Sequence, residues 1–266
     1  MPALPDGARD GLSWRILPPR VCWVILDRPH RLNAWTDAMY LSWARLLDDA
    51  GNANNVACVV VTGRGGRAFS AGQDVAEMRS WPGGSSGSPS FPAMFRAHAR
   101  FCKPLIAGVN GLAVGWGTTM LASCDFVIAS DHARFRTPFT ALGLAPEGGS
   151  STALAMCMRT PADAAWSLLS SEWMNASEAL ASGLVWRVFP KDELEGALLN
   201  TAETLAKWSI ASLVATKQLM VKSRYTALVG AMEREQLAFK ALVGGPANVE
   251  ALAALAEKRE PDFSKL

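Results

Sequence analysis

Charge imbalance, metal-ligand motifs and paired cysteines are all missing from this sequence. Its 266 residues include 26 basic and 24 acidic side chains, a net charge of +2, without a long basic run. Nucleic acid and acidic membranes are therefore not expected as partners. The 3 histidines and 5 cysteines are scattered and form no CxxC or HExxH pattern, so we predict no metal site. An odd number of cysteines in mostly apolar segments indicates reduced thiols in a cytoplasmic protein.

Signals for secretion or membrane insertion are not expected either. The starting segment MPALPDGARDG contains no apolar stretch of the kind found in secretory signals. Residues 104–124 are uncharged and long enough to span a bilayer. However, Gly108, Asn110 and Gly115 place turn-forming residues within that stretch, and a strand-like run begins it. We therefore predict no transmembrane helix.

The remaining composition is that of one large domain, since 50% of the residues are hydrophobic and 19% are charged. Strand-like runs at 12–17, 21–26 and 56–62 flank an amphipathic helix at 36–50, with Thr36 as its expected N-cap. Such alternation predicts a parallel sheet with crossover helices. Further strands are predicted at 104–109 and 126–130, and further helices at 93–102, 161–170, 177–182 with Ser177 as N-cap, 192–208, 210–222, 225–243 and 246–260.

Two glycine turns are the most informative local features. In NGLAVGWGTTMLASCD (110–125), a strand is expected to turn through Gly115 and Gly117 directly into a buried helix. In RAFSAGQD (67–74), a similar turn leads into a short helix at 75–80 with Asp74 as N-cap. Backbone N–H groups at two such turns can hold one polarised oxygen between them. Close packing of a buried helix explains the glycines equally well. The GxG at 115–117 lacks the third glycine of a dinucleotide fingerprint, so we reject a nicotinamide or flavin site.

One segment of low complexity, WPGGSSGSPSFP at 81–92, follows the second of these turns. Its glycine, serine and proline content indicates either a mobile surface loop or a lid that borders a binding pocket.

Four segments, in this order and spacing, resemble the crotonase family, the enoyl-CoA hydratases and isomerases. They are LDRPHRLNAWT (26–36), GRAFSAGQD (66–74), VNGLAVGWGTTMLASCDFVIAS (109–130) and TPFTALGLAPEGGSS (137–151). The resemblance extends from about Leu12 to the end of the chain. It implies an α/β crotonase (ClpP-like) fold, with repeated ββα units in a spiral. It also implies a core at 1–200 that holds the CoA and acyl site, and a C-terminal helical region at 201–266 that packs subunits into a homo-trimer or hexamer.

The same resemblance assigns a binding site for an acyl-CoA thioester. The oxyanion hole would consist of the backbone N–H groups of Gln73 and Trp116; glycine is common at the second position, so the bulk of Trp116 is expected to shape the pocket. No permanently bound cofactor is implied, because coenzyme A enters as part of the substrate. The residues expected to bind substrate or CoA are Arg28, Ser70, Ala71, Gly72, Asp74, Val75, Phe139 and Leu142.

The catalytic carboxylate separates the branches of this family. Hydratases of the family hold a water between two glutamates, and this chain has Thr119 and Phe139 at those positions. Neither side chain can act as a base near neutral pH. Glu147, in GLAPEGGSS, instead matches the single catalytic glutamate of Δ3,Δ2-enoyl-CoA isomerases. Apolar neighbours such as Phe139 and Leu142 are expected to raise its pKa into the working range.

The resemblance therefore predicts an isomerase of fatty-acid β-oxidation with Glu147 as its sole acid and base. Three alternatives stay open. Glu147 could be an ordinary carboxylate at a helix start. The chain could carry out a hydratase-like or other crotonase reaction, or it could be a non-catalytic module that binds CoA or associates with RNA.

Overall fold

Two β-sheets organise most of the chain in the computed structural model, which describes residues 2–78, 87–264 and 266. The strands are β1 (Gly7–Arg9), β2 (Leu12–Leu17), β3 (Val21–Leu26), β4 (Cys58–Gly63), β5 (Ala68–Ser70), β6 (Leu105–Val109), β7 (Leu112–Val114), β8 (Phe126–Ser130), β9 (Arg134–Arg136), β10 (Met174–Asn175) and β11 (Arg187–Phe189). The larger sheet has the order β1-β2-β3-β4-β6-β8-β11, and the smaller has the order β10-β9-β7-β5.

Helices connect the strands and dominate the end of the chain. They are α1 (Asp37–Asn52), α2 (Val75–Met78), α3 (Phe91–Arg100), α4 (Trp116–Thr119), α5 (Ser150–Cys157), α6 (Pro161–Leu169), α7 (Ala176–Ser182), α8 (Leu194–Ala206), α9 (Ile210–Leu242) and α10 (Pro246–Glu257). Short 3-10 turns lie at Pro29–Arg31, Met120–Ser123 and Thr140–Leu142. Within the described ranges, no helix combines the length and the apolar character that crossing a membrane requires.

The chain enters the two sheets alternately, which produces a spiral. Strands β4, β6 and β8 join the larger sheet in parallel, and each is followed by a strand of the smaller sheet, β5, β7 or β9, which are also mutually parallel. Consequently the carboxyl ends of β5, β7 and β9 lie side by side at one edge of the smaller sheet. The segments that follow these three strands are thereby brought together.

The larger sheet is covered on both faces, as its uninterrupted apolar strands require. In β4, Cys58 and Val60 pack with Leu198 of α8 on one face. Val59 and Val61 belong to the larger core cluster on the other face. This alternation follows from the two-residue period of a strand.

Several elements agree with the sequence predictions. Strands β2 and β3 have the predicted bounds. They form an antiparallel pair, and β1 is the outer strand beyond β2. The side chain of Thr36 caps α1 by accepting a hydrogen bond from the Met39 N–H at 3.2 Å. Asp74 likewise accepts from the Ala76 N–H at the start of α2, at 3.0 Å.

Other predictions were wrong or incomplete. Residues 210–222 and 225–243 were predicted as two helices, but α9 is continuous because no glycine or proline interrupts it near residue 223. Ser177 is not the N-cap of α7; Asn175 is, in a capping box with Glu178. The strand β7 intervenes where a direct turn from strand to helix was predicted, and α5, β1, β5, β9, β10 and β11 were missed. The proposed division of the chain at residue 200 stays a prediction.

Candidate active site

A cavity of about 390 Å³ lies at the edge of the smaller sheet where β5, β7 and β9 end. Helices α9 and α10 form its opposite wall. Most of its lining is apolar and includes Phe91, Phe139, Leu142, Leu144, Met232 and Phe239. Such a cavity accommodates an apolar chain, provided that a few polar groups fix its orientation.

The first wall of the cavity is the turn after β5. The Trp35 N–H donates to the Gly72 carbonyl at 2.7 Å, and the Asp74 N–H donates to the Trp35 carbonyl at 2.8 Å. Gly72 has a φ of +80°, and a Cβ built on it would lie 2.6 Å from the Val114 carbonyl oxygen. Only glycine therefore allows this turn to approach the end of β7 so closely. The backbone N–H of Gln73 lies between these two hydrogen bonds to Trp35 and takes part in neither.

The second wall is the turn after β7. Gly115 adopts φ 53° and ψ −123° and begins α4, whose first residue is Trp116. The Gly115 N–H donates to the Arg136 carbonyl at 3.0 Å, which ties this turn to the end of β9. A Cβ at Gly72 would be 3.4 Å from the Trp116 nitrogen, so the two turns touch. Among the described residues, neither the Gln73 N–H nor the Trp116 N–H has a hydrogen-bond acceptor. Buried N–H groups of this kind require one, and a ligand oxygen can supply it.

The Trp116 side chain extends away from the cavity. Its ring is fully buried and makes edge contacts with Phe91, Phe95 and His98, with centroids 5.1, 6.3 and 5.6 Å apart. A Cβ built on Gly148 would lie 2.9 Å from this ring. The bulk of Trp116 therefore supports the Gly148 turn, which lines the pocket, while the ring itself lies in the core.

Glu147 reaches the cavity from that turn, just before α5. Phe139, Leu142 and Leu144 line the cavity with it. Burial raises the pKa of Glu147 from 4.5 to about 7, with a further contribution from the negative charge of Glu235. Within the described part of the chain, no group donates a hydrogen bond to the Glu147 carboxylate. It is thus a carboxylate that can exchange a proton near neutral pH.

The positions of the two hydratase glutamates border the same site. Thr119 is fully buried, and its hydroxyl would lie 3.2 Å from a Cβ at Gly148. That hydroxyl has no hydrogen-bond partner among the residues described. Phe139 lines the cavity and is 5% exposed. At the two positions where the resemblance places the hydratase glutamates, this chain therefore has a hydroxyl and an aromatic ring.

The expected substrate-binding residues fall into two groups. Those that line the cavity are Ala71, Gly72, Val75, Phe139 and Leu142. Ser70 is fully buried, and its hydroxyl accepts from the Gly72 N–H and donates to the Asn33 carbonyl. Arg28 and Asp74 form an ion pair at 2.9 Å, and Arg28 also donates to the Ala34 carbonyl at 2.6 Å. Contacts of these last three residues with CoA stay predictions.

The low-complexity segment is only partly described, since 79–86 lie outside the described residues. Its end is fixed to the start of α1, because Asp37 accepts hydrogen bonds from the Ser90 N–H at 2.9 Å and the Ser90 hydroxyl at 2.8 Å. Phe91, the next residue, lines the cavity. The prediction of a lid or a mobile loop at 81–92 falls in part outside the described residues and stays a prediction.

Sequence reasoning missed the contribution of α9. Met232, Glu235 and Phe239 line the cavity from this helix, far along the chain from Glu147. A signal was present, because Glu235 occupies a helical face on which Leu228, Met232 and Phe239 recur at intervals of three and four residues. A charged residue on an apolar face is unusual and marks a specific contact.

Two amide donors and an unpartnered carboxylate around one apolar cavity form a site for removing a proton next to a carbonyl group. Comparisons with known proteins place that site in a family. The family model described as enoyl-CoA hydratase/isomerase matches residues 18–265. A crystal structure of an enoyl-CoA hydratase/isomerase from Pseudoalteromonas atlantica T6c superposes with a TM-score of 0.88 at 34% identity, covering 96% of this chain and all of that one.

Curated relatives agree with this placement. The 2,3-dehydroadipyl-CoA hydratase of Escherichia coli K12 is 33% identical over 244 residues, which are 92% of this chain and 95% of the relative. Enoyl-CoA delta isomerase 2 of Rattus norvegicus is 36% identical over 217 residues, 80% of this chain and 55% of that longer protein. The chain belongs to the enoyl-CoA hydratase/isomerase family. The predicted crotonase spiral is confirmed, and the chain is an enzyme of this family with an acyl-CoA substrate.

Proposed function

We propose that this enzyme shifts the double bond of a 3-enoyl-CoA to the 2-position, with Glu147 as the only acid and base. The observation that carries the proposal is the combination of Glu147 in the cavity with Thr119 and Phe139 at the positions of the two hydratase glutamates. The 36% sequence identity with enoyl-CoA delta isomerase 2 of Rattus norvegicus supports it. Fatty-acid β-oxidation is the metabolic setting in which we place this reaction.

In the proposed mechanism, the thioester oxygen accepts hydrogen bonds from the backbone N–H groups of Gln73 and Trp116. This stabilises the negative charge that develops when a proton leaves C2, and each such donor typically contributes about 3–4 kcal/mol. Glu147 takes the C2 proton, and the remaining electrons form a dienolate that extends from the thioester oxygen to C4. The same carboxyl group then returns the proton to C4, so that the double bond ends between C2 and C3.

The surroundings of Glu147 favour one proton carrier over water addition. Glu235 also lines the cavity, but its two oxygens already accept three hydrogen bonds. Glu260 lies at the exposed rim. The ring of Phe139 occupies the position at which a second carboxylate would hold a water molecule.

Hydration is the second candidate reaction, because relatives that match over most of their length are named hydratases. The purified enzyme should be incubated separately with 3-hexenoyl-CoA and with crotonyl-CoA, and the products analysed by mass spectrometry and chromatography. We expect conversion of 3-hexenoyl-CoA to an isomer of the same mass. Addition of one water to crotonyl-CoA at a higher kcat/KM would instead assign the chain as a hydratase. Binding of both without turnover would support a non-catalytic module.

The isomerase activity is expected to fall at acidic pH. Glu147 must be ionised to accept a proton, and its pKa is raised to about 7. The carboxylate is therefore present above pH 7 and is lost as the pH drops through that value. We expect kcat/KM to decrease about tenfold for each unit below this pKa, because kcat/KM reports the ionisation of the free enzyme. An acid limb near pH 4.5, the ordinary value for a glutamate, would contradict the buried setting that we assign to Glu147.

A further inference from the structure

Glu235 is a buried acid for which the proton transfer described above has no direct use. It lies on α9, on the same face as Leu228, Met232 and Phe239, and is only 5% exposed. A carboxylate in such a place is unfavourable unless polar groups surround it. Its partners therefore indicate why it is there.

All three hydrogen-bond donors to Glu235 belong to two residues at the start of α5, Gly149 and Ser151. One carboxylate oxygen accepts from the Gly149 N–H at 2.6 Å. The other accepts from the Ser151 N–H at 2.7 Å and from the Ser151 hydroxyl at 2.5 Å. Gly149 occupies the N-cap position and has no side chain that could accept these bonds. Glu235 thus caps α5 from a different helix.

The segment that Glu235 holds is the turn that carries Glu147. Gly148 and Gly149 have φ of +73° and +65°. The Ser150 N–H donates a hydrogen bond to the Glu147 carbonyl at 3.4 Å. A Cβ at Gly149 would lie 2.7 Å from Phe95 and 3.0 Å from the Leu228 carbonyl. Phe95 and Leu228 therefore pack against the turn, and Glu235 fixes it by hydrogen bonds. The Glu147 side chain is thereby directed at the cavity.

Glu235 also places a negative charge at the cavity wall that contains Glu147. Two other charged groups at this cavity, Arg136 and Arg259, have partners of their own. Arg136 of β9 donates to the Ser171 carbonyl at 2.6 Å, and Arg259 is paired with Glu250 and Glu257. Glu260 follows Arg259 at the rim, and Tyr40 of α1 is buried close enough to Glu147 to be affected by its charge.

We propose that Glu235 is a positioning residue: through its hydrogen bonds to Gly149 and Ser151, it fixes the turn that presents Glu147 to the cavity. The inference rests on the proposed function for its effect on turnover. Its effect on the titration of Glu147 does not depend on which reaction the enzyme catalyses.

The test replaces Glu235 by glutamine, which keeps the shape and removes the charge. Glu233→Gln is the matched control, because Glu233 lies on the same helix, is 56% exposed and pairs with Arg96. The pKa of Glu147 is followed by carbon-13 NMR of labelled glutamate carboxyls, with Glu147→Gln identifying its resonance. In Glu235→Gln we expect that pKa to move down by about one unit. Glu233→Gln should leave it in place.

Turnover provides the second measurement. The amide of glutamine presents an N–H group to one of the N–H donors, so the turn loosens, and kcat should fall roughly tenfold or more with a smaller change in KM. The acid limb of the kcat/KM profile should move to lower pH at the same time. A wild-type kcat in folded Glu235→Gln would overturn the proposal. Lack of isomerisation by the wild type would overturn the proposed function instead.

Ser151→Ala keeps the test decisive if Glu235→Gln does not fold. It removes one of the three donors and retains the charge of Glu235. We expect a lower kcat at nearly constant KM, together with an acid limb that does not move to lower pH. A kcat equal to that of the wild type would show that Glu235 does not position the turn.

Discussion

Replacing Glu147 by glutamine is expected to reduce kcat for 3-hexenoyl-CoA isomerisation by about 10²–10⁴-fold, the range typical of a general acid–base group. Glutamine has nearly the same shape but cannot take a proton from C2. Because the carboxylate has a raised pKa, the fold gains little from its charge. The variant should therefore unfold at the wild-type temperature or above it, and KM should change only a few fold.

The control for this variant is again Glu233→Gln, which removes an exposed carboxylate from α9 without touching the cavity. Exchange of the C2 proton of a saturated acyl-CoA in deuterium oxide gives an independent readout, because it needs the base but no double-bond shift. We expect Glu147→Gln to abolish the exchange. Wild-type turnover in this variant would eliminate Glu147 as the base and redirect attention to water positioned by other groups.

Much of the site could be read from the sequence because it is built from local turns. The segments at 67–74 and 110–125 carry their glycines where the backbone must bend, and the structure places both turns against each other. Thr36 and Asp74 were identifiable as caps because each cap is a contact over two or three residues. Local chemistry of this kind is visible without knowledge of distant contacts.

What escaped the sequence depends on long-range packing. Strands β5, β7 and β9 have three residues each, too few for a periodic pattern, and exist because they pair with one another. From the sequence, the side chain of Trp116 could face the cavity or the core. Its ring contacts with Phe91, Phe95 and His98 place it in the core. Glu235 lies 86 residues along the chain from Gly149, from whose N–H it accepts a hydrogen bond, so no local pattern could reveal this contact.

The same packing explains how a single carboxylate is kept available for proton transfer. Its turn is held by the Trp116 ring beneath Gly148 and by Glu235 beside Gly149, while the cavity around Glu147 contributes apolar side chains. The amide donors come from other turns, after β5 and β7. Trp116 contributes to both parts of the site, since its N–H is one donor and its ring supports Gly148. The turn after β5, which carries the Gln73 N–H, is separate from the turn of Glu147, so it can be perturbed alone.

That separation predicts the effect of Gly72→Ala. Gly72 has a φ of +80°, and its new methyl group would lie 2.6 Å from the Val114 carbonyl oxygen, a backbone atom that cannot rotate away. The turn after β5 must then move from the turn after β7, and the Gln73 and Trp116 amides no longer converge on one oxygen. Loss of one such donor typically lowers kcat by about 10²–10³-fold. We expect a loss in this range for isomerisation.

Gly244→Ala is the matched control for backbone strain. Gly244 has a φ of +73°, yet a Cβ there would meet nothing within 4 Å. Both substitutions place alanine in the left-handed region, which disfavours the fold by about 1–2 kcal/mol, so both should lower the unfolding temperature. Only Gly72→Ala should also impair turnover. Because Glu147 lies on another turn, its acid limb near pH 7 should persist in Gly72→Ala. A folded Gly72→Ala enzyme with wild-type kcat would mean that the two amides do not hold the thioester oxygen.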